Sequence, residues 1–302
     1  MNYFEKEPIF LRDYRNTKLK DIAIIKQDYE IDSNENQSIF VPICWDGSTA
    51  GRPGSRLCPQ KIIQKLLNLN YNQNYTTAPV IMPYVKVING DRFTTFQNIS
   101  LAVSKVINKG KVFFIGGDHS ITFPIVQTYL NTYKRINLLV FDSHFDLRHL
   151  EEGHSSGTYL NEICKNFYDK VKPVIIGINN AYNPGYLYEV ANEYDVKYLS
   201  CEDVIYGSFD NVYRFITQNL EVGLPVYVSI DVDCIDSSYI DSVNSLNCWG
   251  LSLREVYRIY EYVKRNFEIV GTDLVESNCL VGDVDRSVSV LAEFLYRLSG
   301  YG

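Results

Sequence analysis

The chain has 302 residues, 46% hydrophobic and 22% charged, with no change in composition that would divide it, so we expect a single domain over residues 1–302. Its net charge of −7 argues against a general nucleic-acid-binding surface, because such surfaces neutralise phosphates with clustered Lys and Arg. Residues 1–6 lack the basic and apolar segments of a signal peptide, and no run of about 18 apolar residues occurs, so we expect a soluble, cytoplasmic protein with no membrane partner.

Short β-rich apolar runs alternate with amphipathic stretches along the chain. The apolar runs predict strands at 38–44, 79–87, 112–116, 137–142, 173–178, 226–231 and 268–274. The amphipathic stretches predict helices at 59–68, 94–108, 123–133, 186–194, 209–220, 252–266 and 285–299. Nearly continuous hydrophobicity is typical of parallel strands covered by helices on both faces. The alternation therefore predicts a doubly wound, three-layer α/β/α fold with a mostly parallel sheet.

Seven cysteines, at positions 44, 58, 164, 201, 234, 248 and 279, are dispersed along the chain, and no two are spaced as Cys-x-x-Cys. This pattern is typical of reduced thiols in the cytosol, and we expect that state. Cys234 adjoins an acidic motif, but on an extended strand it points away from residues 231 and 233, so we do not expect it to act as a ligand or nucleophile.

Three polar motifs carry the chemistry, and each follows an apolar run: Gly-Gly-Asp-His-Ser at 116–120, Asp-Ser-His-Phe-Asp at 142–146 and Asp-Val-Asp at 231–233. In the last two motifs the candidate ligands are spaced i, i+2 and i+4, so on an extended backbone they project from one face. Carboxylates and imidazoles pooled at the ends of neighbouring strands are electrostatically unfavourable without cations. The motifs therefore predict a metal site with the ligands His119, Asp142, His144, Asp146, Asp231 and Asp233.

The composition of the ligand set bears on the identity of the metal. Asp-x-His-x-Asp or Asp-x-Asp alone also occurs in solvated loops and helix caps, so the prediction depends on all three motifs together. Two imidazoles with four carboxylates form a hard, oxygen-rich set, which favours Mn²⁺, although Co²⁺, Ni²⁺ or Zn²⁺ could occupy such a site in vitro.

Four segments of the chain resemble the arginase/agmatinase/formimidoylglutamase (ureohydrolase) family. They are Gly-Gly-Asp-His-Ser-Ile-Thr at 116–122, Phe-Asp-Ser-His-Phe-Asp at 141–146, Ser-Ile-Asp-Val-Asp-Cys-Ile-Asp at 229–236 and Asp-Leu-Val-Glu-Ser-Asn at 273–278. The resemblance implies an arginase-like fold, a trimer or hexamer, and two Mn²⁺ per subunit. It implies one ion held by His119, Asp142, Asp146 and Asp231 and the other by Asp142, His144, Asp231 and Asp233.

The same resemblance implies hydrolysis of a guanidino or formimino group by a hydroxide that bridges the two metals and attacks the amidine carbon. Asp146 would accept the proton of the hydroxide and carry it to the leaving amine, and Glu276 would pair with the cationic end of the substrate. The alternative for Glu276 is a buried partner of a structural cation.

Arg148 is the main indication of the substrate. Phe-Asp-Ser-His-Phe-Asp-Leu-Arg followed by Ser-Ser-Gly-Thr at 155–158 is similar to formimidoylglutamases in particular. A guanidinium at the mouth of the site suits a carboxylate-bearing substrate and repels agmatine, a dication. The leading hypothesis is therefore cleavage of N-formimidoyl-L-glutamate to glutamate and formamide, in histidine degradation. The alternative for Arg148 is a surface salt bridge to Glu151 or Glu152.

Two other hypotheses stay open. Arginases and agmatinases usually carry a His-Gly step whose histidine shuttles protons, and alignment on Gly157 puts Ser156 in that place. A shift of one or two residues would instead bring His154 there, which would indicate an arginase or another guanidino-acid ureohydrolase. The other class is a non-catalytic, metal-stabilised scaffold. Ser155, Ser156 and Asn183 are further candidates for contacts with the substrate.

Overall fold

A nine-stranded parallel sheet forms the centre of the computed structural model, which describes residues 16–34, 36–72 and 77–301. The strands are β1 (Ile24–Ile25), β2 (Ser38–Pro42), β3 (Val80–Ile81), β4 (Lys111–Ile115), β5 (Ile136–Phe141), β6 (Val171–Ile178), β7 (Lys197–Ser200), β8 (Val226–Asp231) and β9 (Ile269–Val275). Their order across the sheet is β1-β3-β2-β4-β9-β8-β5-β6-β7, and every paired neighbour is parallel.

Helices cover both faces of this sheet. They are α1 (Leu19–Ile22), α2 (Cys58–Leu67), α3 (Arg92–Val106), α4 (Thr122–Tyr133), α5 (Tyr159–Phe167), α6 (Gly185–Glu193), α7 (Cys201–Ile205), α8 (Phe209–Asn219), α9 (Leu253–Asn266) and α10 (Val284–Leu298). Apolar side chains of α2, α7, α8, α9 and α10 pack on one face, and those of α3, α4, α5 and α6 pack on the other. The predicted three-layer α/β/α fold is confirmed.

The nearly continuous hydrophobicity of the strands follows from this two-sided cover. In β4, Phe113 and Ile115 belong to the apolar cluster on one face, whereas Val112 and Phe114 belong to the cluster on the other. Because successive side chains of a strand point to opposite faces, nearly every position in a central strand is buried, and most of these positions are apolar.

The predicted elements differ from the structure mainly at the edges of the sheet. The strand predicted at 79–87 is reduced to β3, because Pro83 lacks the N–H group that would continue the ladder. The edge strands β1 and β7 were not predicted, since they are only two and four residues long and their side chains are largely exposed or half-buried. The helices α1, α5 and α7 were also not predicted.

The expectation that all cysteines are reduced thiols is wrong for one pair. Cys58, at the start of α2, and Cys279, in the loop after β9, form a disulfide with a Cα–Cα distance of 5.6 Å. This pair was not predicted because 221 residues separate its members along the chain. Cys234 is a free thiol, and burial raises its pKa well above the ordinary value, which disfavours the reactive thiolate.

None of the helices in the described part of the chain combines the length and apolarity that a bilayer crossing requires. The signal-peptide prediction concerns residues 1–6, which lie outside the described residues.

Candidate metal centre and active site

The candidate ligands and Glu276 gather at the carboxyl ends of four strands that are adjacent in the sheet, in the order β4, β9, β8, β5. His119 lies in the short turn that follows β4, and Asp142 comes directly after β5. Asp231 is the last residue of β8, and Glu276 follows β9. Parallel strands bring their carboxyl ends to one edge of the sheet, which explains why distant parts of the sequence meet here.

Each of the three polar motifs is folded as a tight turn, not as an extended strand. This corrects the expectation that the i, i+2 spacing places side chains on one face of a strand. In each motif the first aspartate accepts a hydrogen bond from the N–H group two residues later, which is the turn that Asp forms readily. These bonds join Ser120 N to Asp118 Oδ1 (3.0 Å), His144 N to Asp142 Oδ1 (2.7 Å) and Asp233 N to Asp231 Oδ1 (2.8 Å).

One group of four residues could hold a metal ion around His119. The Nδ1 atom of His119 lies 3.3 Å from Asp142 Oδ2, 3.2 Å from Asp146 Oδ2 and 3.1 Å from Asp231 Oδ2. His119 is fully buried, and the three carboxylates are nearly so. One imidazole and three carboxylate oxygens are thus directed at one point.

A second group lies beside the first and contains Asp142, His144 and Asp233. The Nδ1 atom of His144 lies 3.0 Å from Asp233 Oδ2 and 3.6 Å from Asp142 Oδ1. Asp142 therefore faces the first group with one oxygen and the second group with the other. Asp231 belongs to the first group alone, and its Oδ1 atom accepts the N–H of Asp233.

The chemistry of this cluster fits divalent cations. His119 Nδ1 and Asp142 Oδ2 are buried and have no hydrogen-bond partner among the described residues, a costly state that a metal would relieve. Burial raises the pKa of Asp146 to about 6 and that of Glu276 to about 8. The pKa of Asp231 also lies well above its ordinary value, mainly because the group is buried and also because the negative charge of Asp233 is close. Cations would restore the ionised carboxylates that burial disfavours.

A buried hydrogen-bond chain orients His119. Its Nε2 atom lies 2.9 Å from Ser229 Oγ, and Ser229 donates its single hydroxyl proton to Asp273 Oδ1 at 2.6 Å. Ser229 must therefore accept from Nε2–H, which leaves a lone pair on Nδ1 for a metal. Asp273 also accepts hydrogen bonds from Tyr227 and Thr122. Ser229 and Asp273 lie inside the motifs recognised in the sequence, but no role was predicted for either.

Asp146 and Glu276 adopt left-handed backbone conformations, with φ of 50° and 66°. Such values are uncommon for residues other than glycine and are held in place by their surroundings. Glu276 is tied on both sides, because its N–H donates to Gly117 O at 2.8 Å and its Oε1 accepts from His119 N at 2.8 Å. The carboxylate of Glu276 is consequently fixed beside the His119 group.

A cavity of about 260 Å³ opens onto the cluster. His144, Asp146, Asp231, Asp233 and Glu276 border it, together with Arg148. Arg148 makes no ion pair with any acid whose side chain the structure describes, Glu151 included. Its guanidinium is therefore available to a ligand in the cavity.

The other residues predicted to contact substrate differ in position. Ser156 borders the cavity, but its Oγ accepts a hydrogen bond from Ala50 N at 3.0 Å. Asn183 also borders the cavity, but its amide holds the loop after Asp142 by accepting from Phe145 N and donating to Ser143 O. Ser155 does not border it and begins the turn before α5.

His154 lies outside the cavity lining. Its Nδ1 atom is 2.9 Å from the buried carboxylate of Glu162, which also pairs with Arg92 at 2.6 Å. The structure thus joins His154 to helix α5 and not to the metal cluster. A shift in alignment that would make it a proton shuttle has no support in this geometry.

Comparison with known proteins agrees with the motifs. The model of the Arginase family matches residues 36–300. An agmatinase from Bacillus anthracis is 26% identical over 285 residues, covering 87% of this chain and 91% of that protein. A formimidoylglutamase from Legionella pneumophila (strain Paris) is 25% identical over 267 residues, covering 84% and 82%.

The fold also matches solved structures. The crystal structure of formimidoylglutamase from Bacillus subtilis subsp. subtilis str. 168 superposes with a TM-score of 0.84 at 16% identity, over 99% of this chain and 96% of that one. At such low identity the likeness establishes the fold alone. Since the family model covers most of the chain and all six candidate ligands, the protein belongs to the arginase family.

Proposed function

We propose that this protein is a Mn²⁺-dependent hydrolase, with a single catalytic domain, that cleaves N-formimidoyl-L-glutamate to L-glutamate and formamide. The observation that carries the proposal is Arg148, whose guanidinium borders the same cavity as the His/Asp cluster and has no described acidic partner. This arrangement suits a substrate with an amidine at one end and carboxylates at the other. Agmatine has two positive charges and no carboxylate, so Arg148 would repel it.

Two groups of residues would hold the metal ions: His119, Asp142, Asp146 and Asp231 for one, and Asp142, His144 and Asp233 for the other. Their oxygen-rich composition supports Mn²⁺. When bound, a pair of divalent ions makes hydroxide available near neutral pH and stabilises the negative charge that develops during hydrolysis.

Asp146 and Glu276 would carry out the proton and substrate chemistry beside the metals. Asp146 accepts a proton as water adds to the amidine carbon and delivers it to the glutamate nitrogen as the C–N bond breaks. The oxygen of the water then belongs to formamide, and the glutamate nitrogen leaves as an amine. Glu276 uses Oε1 to hold His119 N–H, so its other oxygen can accept a hydrogen bond from the amidine.

A guanidino-acid hydrolase that releases urea is the second candidate, because Arg148 could equally bind the carboxylate of a guanidino acid. The pairing of His154 with Glu162, outside the cavity lining, weighs against an arginase-like proton shuttle at His154. A non-catalytic scaffold is disfavoured by the cavity, since a site kept only for folding has no need of an opening to solvent.

The test is to assay the purified, Mn²⁺-loaded protein against N-formimidoyl-L-glutamate, arginine, agmatine and guanidino acids. We expect formamide and glutamate from the first substrate and little or no urea from the others. Urea release without glutamate formation would favour the second candidate. A stable metal-loaded protein that turns over none of them would favour the scaffold.

The Arg148→Ala variant tests the carboxylate anchor. Losing a charge-assisted hydrogen-bond pair costs about 1.5–3 kcal/mol, so KM for N-formimidoyl-L-glutamate should rise about tenfold or more, with manganese content unchanged. The matched control is Arg265→Ala, which removes an exposed arginine from the last turn of α9 and should leave KM unchanged.

A further inference from the structure

We infer that Asn161, near the start of helix α5, is the positioning residue that sets Arg148 for the substrate carboxylate. This inference rests on the proposed function, because it assigns Arg148 the same task. Asn161 does not border the cavity, so it would act only through the segment that it holds.

The contacts of Asn161 converge on the segment that links a metal ligand to Arg148. Its Nδ2 donates to Leu147 O at 3.2 Å and to Arg148 O at 3.0 Å, and its backbone N–H lies 3.4 Å from Asp146 O. The amide oxygen accepts from Tyr194 OH at 3.3 Å. Asn161 is buried, so losing its side-chain amide would remove the donor to the carbonyls of Leu147 and Arg148.

Gly157 completes the clamp from the other side. Its carbonyl accepts the N–H of Arg148 at 3.1 Å, so both backbone polar groups of Arg148 are fixed from the segment that leads into α5. A Cβ at Gly157 would lie 3.3 Å from Cδ and 3.4 Å from Nε of Arg148. The arginine side chain therefore lies directly against Gly157, and a side chain at position 157 would make it shift.

The start of α5 is held by buried contacts on either side of Asn161. The ring of Tyr159 stacks on the metal-ligand candidate His119 with centroids 4.1 Å apart. The buried carboxylate of Glu162 is held by Arg92 at 2.6 Å and by His154 at 2.9 Å. Asn161 lies between Tyr159 and Glu162 in the helix, so its hydrogen bonds connect Arg148 to a segment that packs against the metal cluster. This also gives His154 a structural task.

A displaced guanidinium binds a carboxylate poorly, because the paired hydrogen bonds of the fork depend on orientation. We therefore expect the Asn161→Ala variant to raise KM for N-formimidoyl-L-glutamate by about tenfold, the size of effect expected for lost buried hydrogen bonds, while kcat changes less than threefold and manganese content stays the same. The matched control is Asn166→Ala, on the same helix, whose amide caps only the carbonyl of Glu162.

The decisive measurement is a double-mutant cycle with Arg148→Ala. If Asn161 acts through Arg148, adding Asn161→Ala to Arg148→Ala should raise KM no further. Equal, additive effects in both backgrounds, or a fall in kcat with KM unchanged, would overturn the inference. If Asn161→Ala does not fold, Gly157→Ala tests the same segment, since its added methyl group shifts the side chain of Arg148 by a few tenths of an ångström, and any rise in KM must show the same dependence on Arg148.

The cycle also separates this inference from the proposed function. If Arg148→Ala itself leaves KM unchanged, the carboxylate anchor of the proposed function is wrong. If Arg148→Ala raises KM but neither Asn161→Ala nor Gly157→Ala does, only the positioning role is wrong.

Discussion

Replacement of Asp142 should remove both metal ions, because it is the one described carboxylate that faces both groups. Its Oδ2 lies 3.3 Å from His119 Nδ1, and its Oδ1 lies 3.6 Å from His144 Nδ1. At about 4 Å and an effective dielectric of about 20, even one pair of unit charges contributes about 4 kcal/mol, or roughly a thousandfold in affinity. Asp142→Ala loses such a contribution at each ion, which bears two charges.

The assay is metal analysis after dialysis against micromolar Mn²⁺, with activity measured in parallel. We expect two ions per chain in the unchanged protein, none in Asp142→Ala and one in Asp233→Ala, because Asp233 belongs to the second group alone. The control is Asp285→Ala, which removes an exposed aspartate at the start of α10. Two retained ions in Asp142→Ala would refute the assignment of a shared ligand.

Four further predictions follow from the same geometry. Chelation of the metals should lower the melting temperature in calorimetry, because the buried carboxylates then repel one another and hold protons. Titration calorimetry should show weaker Mn²⁺ binding at pH 6 than at pH 8. Burial alone would lower the pKa of His119 and His144, but the surrounding carboxylates raise it above the ordinary value, and the metal must displace the protons that these histidines hold at low pH. Asp273→Asn should weaken Mn²⁺ binding about 10–100-fold by releasing Ser229, as measured with a competing chelator. His154→Ala should change kcat less than about threefold, whereas a far larger loss would revive the arginase-like mechanism.

The sequence was sufficient to predict the central strands and the residues that follow them. The runs ending at 116, 142 and 231 are buried along their length and mostly apolar, because helices cover both faces of the sheet there. Short edge strands such as β1 and β7 have no such constraint and were not recognised. Helix α5 does carry apolar residues at helical spacing, but it is only nine residues long and directly follows the polar residues 155–158, so its pattern was too short to be distinctive.

The local geometry of the site was harder to predict than its composition. An Asp-x-Asp motif is equally compatible with a strand and with a turn, and only the hydrogen bond from Asp233 N to Asp231 Oδ1 distinguishes them. The support of His119 by Ser229 and Asp273 depends on the pairing of β8 with β9, in which Ser229 and Asp273 are neighbours. Single-sequence patterns do not contain that register.

The substrate was harder to predict than the metal ligands, because the ligands follow central strands whereas the candidate substrate contacts lie in loops. The metal groups depend on the ends of three central strands, β4, β5 and β8, whose positions are fixed by packing on both faces. Arg148, Ser156 and Asn183 lie in loops, where direction depends on individual contacts such as those of Asn161 and Gly157. Relatives named agmatinase and formimidoylglutamase both match most of this chain, so we expect the loop residues around Arg148, and not the strand ends, to decide which molecule is cleaved.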